Sequence, residues 1–197
     1  MTITDDYILF YGHDWPSNFA PSIITAPDDF WSPTLIPDPE EHHPEIIRFK
    51  TAEAYYQSRK AVVANDVKRY YEIALAKTPG ETKRIAREIK LDSRKWDLVK
   101  TGYMWDTLTL KFSQNPELME KLLDERLDGK KFVEASPYDT FWGVGKSEDD
   151  ILRLIENRAW ADDEFDFETD LPKCQNMLGE LLTKLRLEEL KKKRMTI

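Results

Sequence analysis

The residues most able to do chemistry lie in Thr51-Ala-Glu-Ala-Tyr-Tyr-Gln-Ser-Arg-Lys60. Glu53, Tyr56, Gln57 and Lys60 stand at i, i+3, i+4 and i+7, so on an α-helix they share one face. A carboxylate, a phenol, an amide and an ammonium together contact a polar ligand more naturally than they fill a core. A second acid, Asp139, sits in a loop punctuated by Gly and Pro, beside Trp142. Two carboxylates near an aromatic wall suit cleavage of a glycosidic bond. The oxocarbenium-like transition state gains from adjacent negative charge, while an acid protonates the leaving group or activates water. If the leaving group is a base, an indole or phenol can stack on it. Each piece also has an ordinary reading: a solvated amphipathic face for Glu53 and Lys60, a turn former for Asp139, core packing for Trp96.

Other chemistries find little support. The chain has no glycine-rich dinucleotide or Walker loop. His42 and His43 are adjacent within a proline-rich stretch, not at ligand spacing on a helix, so no metal and no cofactor are expected. Cys174 is the single cysteine; it forms no internal disulfide and is expected to be buried and inert, in a cytoplasmic protein. Lys and Arg number 29 against 37 Asp and Glu, a net charge of −8. That balance disfavours non-specific binding to nucleic acid or anionic membranes, but leaves local cations able to hold a phosphate. No apolar run approaches membrane-spanning length, and the N-terminus has no secretory signal pattern.

The elements that must carry these residues follow from periodicity. At 197 residues the chain is long enough for one domain with a real core. Strands are expected at 7–11, 46–50 and 131–134, each rich in β-branched or aromatic residues. Thr51 caps the central helix, which runs uninterrupted to Asn65; its small face, Ala54, Ser58 and Ala61, admits a close neighbour. A second helix spans 66–77, and a third opens at Thr78-Pro79-Gly80-Glu81, a capping box with proline at its first position. A fourth, capped by Asp92 or Ser93, carries Trp96, Val99, Tyr103, Thr107 and Leu110. A fifth starts at Pro116 and ends at Asp128-Gly129, and a short one runs from Ser147 to Asn157. Residues 162–170 are read as an acidic, mobile connection, and Lys173 opens a long final helix with Leu178, Leu181, Leu182, Leu185 and Leu190 inward. The fold class is therefore α+β, a predominantly α-helical single domain (1–197) with a few short strands. Surface insertions fall at about 27–45, where prolines cluster, and at 146–172.

Taken in order, several motifs resemble one family. They are Phe10-Tyr11, Ser17-Asn18-Phe19, Glu53-x-x-Tyr56-Gln57-x-x-Lys60, Arg84-x-x-Arg87, Arg94-Lys-Trp96, Lys111-Phe112-x-x-Asn115, Ser136-Pro-x-Asp139-x-x-Trp142-Gly and Asn176-x-Leu-Gly179. This ordered set resembles the NADAR family of YbiA-like N-glycosidases. The resemblance implies a compact α-rich fold and hydrolysis of an N-glycosidic bond in a small nucleotide-like substrate. That substrate is a ribosylaminopyrimidine phosphate of riboflavin synthesis, or an ADP-ribosylated base, including one in nucleic acid. Carried over by position, Glu53 and Asp139 become the active-site carboxylates and Trp96 the pocket aromatic. Ser17, Asn18, Tyr56, Gln57, Lys60, Trp142 and Asn176 line the pocket, and Arg84 with Arg87 form a phosphate clamp. Ala54 and Ala86 stand where the family usually has His and Gly. The rival expectations are a non-catalytic module that binds ADP-ribose or NAD, and an interaction protein whose acidic insertion meets a basic partner.

Overall fold

The computed structural model describes residues 1–30, 45–160, 165–171 and 173–195. Four short strands open the chain: β1 (Thr2–Ile3), β2 (Tyr7–Phe10), β3 (Pro21–Pro27) and β4 (Ile46–Thr51). Helices α1 (Ala52–Ala64), α2 (Val67–Leu75), α3 (Pro79–Ala86), α4 (Ser93–Ser113) and α5 (Pro116–Leu122) follow. After a 3-10 turn at Glu125–Leu127 come β5 (Lys131–Glu134), α6 (Glu148–Trp160), α7 (Phe167–Asp170) and α8 (Met177–Met195). The mainly helical α+β class is as expected. Much of the proline-rich stretch (residues 31–44), with His42 and His43, lies outside the described residues, as do 161–164 and 172 of the second insertion.

The described chain divides into two compact units. One is Asn18–Leu118; the other joins Met1–Ser17 to the described residues from Met119 onward.

In the Asn18–Leu118 unit, β3 and β4 form an antiparallel pair with Ile24 opposite Phe49 and Ala26 opposite Ile47. Alternate residues of both strands are buried, the pattern of a half-covered ribbon. Strand β3 was missed in the sequence because two prolines bound it, a signal that reads as loop. Strand β4 ends on Thr51, whose hydroxyl accepts from the Ala54 N–H and caps α1. Helix α1 packs against α2, α3 and α4. Its small face is fully covered, with Ser58 and Ala61 at 0% exposure.

The opposite face is not solvated either. Arg59 is buried, donates to Asp29 at 2.7 Å and lies 4.3 Å from the Tyr55 ring centre. A charge taken out of water needs such partners, since desolvation is costly when uncompensated. At α3 the capping box closes one residue early: Thr78 accepts from Glu81 N–H at 3.1 Å, and Glu81 accepts from Lys77 N–H at 2.7 Å. On α4, Asp92 is the cap, and Trp96, Met104, Leu108 and Phe112 face inward while Val99 does not.

In the other unit, β2 is central to a three-stranded sheet, antiparallel to β1 and parallel to β5. Leu9, Val133, Ala135, Val144 and Ile151 form its core. Helix α8 lies on β5 through Leu178, Leu182 and Leu185. It begins at Met177 rather than Lys173, and α6 runs on to Trp160. Helix α5 stops at Leu122, short of the expected Asp128-Gly129. The reason is Arg186 of α8. Its buried guanidinium donates to the Leu122 and Asp124 carbonyls and to the Asp128 carboxylate, taking up the last carbonyl of α5 where the chain turns into the 3-10 segment. Part of the acidic stretch expected to be mobile is instead helical: α7 is tied to α6 by the Arg158–Asp170 ion pair.

Candidate active site

The Asn18–Leu118 unit gathers Asn18, Glu53, Tyr56, Gln57, Lys60 and Trp96; Ser17, Asp139, Trp142 and Asn176 belong to the other unit. Glu53 falls in the first turn of α1 and is 5% exposed. Its backbone N–H, one of the orphan donors of a helix start, is taken by the Asn18 carbonyl at 2.9 Å. Its side chain accepts from Gln57 Nε2 at 2.9 Å, one turn along the same face. The Lys83 ammonium lies 3.7 Å from the same carboxylate oxygen. Burial pushes the Glu53 carboxyl up, against the pull of Lys83, Gln57 and Lys60. Glu53 is thus a carboxyl whose proton is held longer than usual, the property a general acid near neutral pH requires.

Trp96 is 9% exposed and packs between two phenols. Tyr56 is tilted against it at 5.4 Å between ring centres, and Tyr103 stacks at 6.1 Å. The Lys60 ammonium is 5.5 Å from the indole centre. Burial lowers the Lys60 pKa, and Glu53 opposes that shift. Trp96 is therefore the back wall of an aromatic stack carrying a cation over its face.

The expected phosphate clamp is split. Arg84 turns outward and pairs with Glu88 at 2.9 Å. Arg87 is exposed but close enough to Lys60 to lower its pKa. The residue that reaches Glu53 is Lys83, which sequence reasoning did not single out. Its ammonium also sits 4.3 Å from the Phe19 ring centre. The signal was present: with Thr82, Ile85 and Ala86 buried on α3, helical spacing puts Arg84 opposite the core and Lys83 at its margin.

In the second unit, Asp139 Oδ1 accepts from the N–H groups of Phe141 (2.9 Å) and Trp142 (2.8 Å), fixing the loop that holds Trp142. That is the turn-forming role an Asp in such a loop often has, and it leaves Oδ2 for any chemistry. Trp142 meets Phe141 edge to face at 4.8 Å, and its carbonyl accepts from Leu178 N–H. Asn176 has both ends of its amide engaged with β5, accepting from Glu134 N–H at 3.0 Å and donating to the Phe132 carbonyl at 2.9 Å. With those two bonds it braces the edge of the sheet. Ser17 is buried, its N–H bonded to the Asp14 carbonyl. Cys174 is half-buried, not buried as expected; its thiol donates to Leu171 and burial raises its pKa, which disfavours the reactive thiolate. Among the described residues no cluster of His, Cys, Asp and Glu is arranged to hold a metal ion, and no helix is long and apolar enough to cross a membrane.

The family model of the NADAR domain matches residues 10–191, across both units. The chain belongs to the NADAR family. It is similar to an N-glycosidase of Acanthamoeba polyphaga mimivirus, 29% identical over 94% of this chain and 97% of that protein. It is also similar to an N-glycosidase of Nostoc punctiforme, 32% identical over 70% of this chain and 76% of the relative. A chloroplastic riboflavin biosynthesis protein of Zea mays matches at 34% identity over 66% of this chain, but the match spans only 20% of that protein. Among solved structures, the NMR structure of the E. coli protein YbiA has a TM-score of 0.62 at 25% identity, covering 98% of this chain and 90% of YbiA.

Proposed function

We infer that this NADAR protein is an N-glycosidase: it hydrolyses the bond between the anomeric carbon of a sugar and a nitrogen of its base. The observation that carries the reading is the buried Glu53 carboxyl, held between Gln57 and Lys83 on the unit walled by Trp96. N-glycosidase relatives of similar length support it. In the reaction the C–N bond breaks and the base departs with the bonding electrons, taking up one proton. The sugar carbon, left oxocarbenium-like, accepts the oxygen of water, which keeps one proton as the new hydroxyl and gives up the other to restore the Glu53 carboxyl. Glu53 in its protonated form supplies the proton to the departing base; once ionised, it faces the positive sugar carbon. The family resemblance gives Asp139 the part of second carboxylate; within its own unit its Oδ1 is engaged by the Phe141 and Trp142 N–H groups, and Oδ2 is the oxygen left for that part. Lys60 and Lys83 hold a phosphate of the substrate, a role in which compact ammonium groups act as point charges. Substrates that fit are ribosylaminopyrimidine phosphates and ADP-ribosylated bases.

The test is chromatographic. Purified protein incubated with ribosylaminopyrimidine phosphates, ADP-ribose, NAD and ADP-ribosylated guanine liberates free base from at least one of them. A screen without released base overturns the reading.

The pH profile gives a second test. Lys83→Met removes the largest influence holding the Glu53 pKa down, so that pKa rises further. The limb of the kcat/KM profile that reports Glu53 moves to higher pH, while Lys83→Arg keeps it near its original position. An unmoved limb in Lys83→Met ends the assigned role of Lys83.

A further inference from the structure

Two buried oxygens in the Asn18–Leu118 unit have no hydrogen-bond partner among the described residues: Asn18 Oδ1 and Gln57 Oε1. Asn18 is 4% exposed and Gln57 6%. An acceptor buried without a partner destabilises the fold, so a pair of them on one unit calls for an explanation.

Neither amide gains by turning over. Gln57 Nε2 donates to Glu53 Oε1 at 2.9 Å, a bond that a flipped amide gives up whenever Glu53 is ionised beside Lys83. Asn18 Nδ2 points at Met104 Sδ at 3.1 Å, and a flip sets oxygen against the thioether, which has no proton to give. Both residues therefore present acceptors. Both are also tied to Glu53, Gln57 through its side chain and Asn18 through the carbonyl that receives the Glu53 N–H.

Acceptors beside a carboxylate call for O–H or N–H donors. Phosphate oxygens do not qualify, and Lys60 and Lys83 already serve them. Resting on the N-glycosidase reading, Glu53 faces the anomeric carbon of a sugar, and in a ribose the next carbon bears a hydroxyl with a second hydroxyl beside it. We propose that Asn18 Oδ1 and Gln57 Oε1 accept the 2- and 3-hydroxyl protons of a ribose, making this an acceptor subsite that selects ribosides over 2-deoxyribosides. Binding a ribose then relieves a cost that the unliganded fold carries.

Titration calorimetry with ribose 5-phosphate and 2-deoxyribose 5-phosphate tests this without any turnover. The wild type binds the ribose phosphate about tenfold or more tightly over its deoxy analogue, the effect expected for an unmet buried acceptor. Of Asn18→Leu and Gln57→Met, the one that removes the acceptor of the 2-hydroxyl shrinks that preference to about twofold or less, because no acceptor is then left unmet by the deoxy sugar. Asn18→Asp, which keeps an oxygen in place, retains it. Equal affinity of the wild type for the two sugars overturns the proposal, as does an unchanged preference in both variants. Adenine titrated in parallel is a control: lost adenine affinity in those variants with an unchanged sugar preference overturns the proposal in favour of base recognition. A protein that releases base yet binds both sugars alike keeps its glycosidase activity and loses this subsite. One that prefers ribose but releases no base keeps the subsite and loses the activity.

Discussion

Glu53→Gln lowers turnover by about three orders of magnitude, the usual scale for removing a positioned acid that also faces developing positive charge. Glutamine keeps the length and an oxygen for Gln57 Nε2, so the hydrogen bond across α1 survives and the loss falls on chemistry. Stability moves the other way. Burial raises the Glu53 carboxyl in the fold, so its contribution to stability is fully present below the ordinary value of 4.5 and is lost as pH rises through the raised one. Glutamine carries no such loss. Melting curves at neutral pH therefore place Glu53→Gln above the wild type, and the gap closes as pH approaches 4. Base-release assays with near-wild-type turnover in this variant remove Glu53 from the reaction. Loss of activity accompanied by a lower Tm at neutral pH makes it a structural residue instead.

Gly179→Ala is expected to be the most damaging single methyl in the second unit. A Cβ at Gly179 comes within 2.1 Å of the Phe132 carbonyl oxygen and 2.5 Å of the Asn176 amide. The first is strand backbone and the second is locked to that strand by two hydrogen bonds, so neither can give way. Helix α8 approaches β5 this closely because Asn176 and Thr183 serve its open edge: Thr183 Oγ1 accepts from Phe132 N–H at 3.0 Å. Pushing α8 outward strips those partners from buried backbone groups as well as opening the core at Leu178 and Leu182. The expected cost is about 3 kcal/mol or more, the upper end for overpacking, and a Tm lower by roughly 6–12 °C for a chain of this size. A thermal melt within 2 °C of the wild type contradicts this account of the α8–β5 contact.

Much of this arrangement was legible in the residue pattern. The helix starts at Thr51, Thr78 and Asp92 are set by side-chain caps, which are local, and the E-x-x-Y-Q-x-x-K face is local too. What the pattern hid was long-range. Nothing near Arg186 in sequence says that it will bond to Leu122 and end α5 early. Strand β3 exists because β4 pairs with it, and its flanking prolines argue for a loop when read alone. The polar face of α1 looked like many solvated faces. Its burial depends on what α3 brings against it, and with it the role of Lys83. The Asn176 motif was visible, but its amide bonds only to the backbone of a strand far back in the chain.

No linker separates β4 from α1: Thr51 is both the last strand residue and the helix cap. The pleat of the ribbon therefore sets the azimuth of the whole helix. Deleting one residue between Ile46 and Thr51 exchanges the inside and outside of the strand, or else turns the helix by about 100° relative to it, and either outcome swings Glu53 away from Lys83. This junction tolerates substitution at its exposed positions far better than any change in length, so an indel here is the shortest route from a folded catalyst to an inert relative.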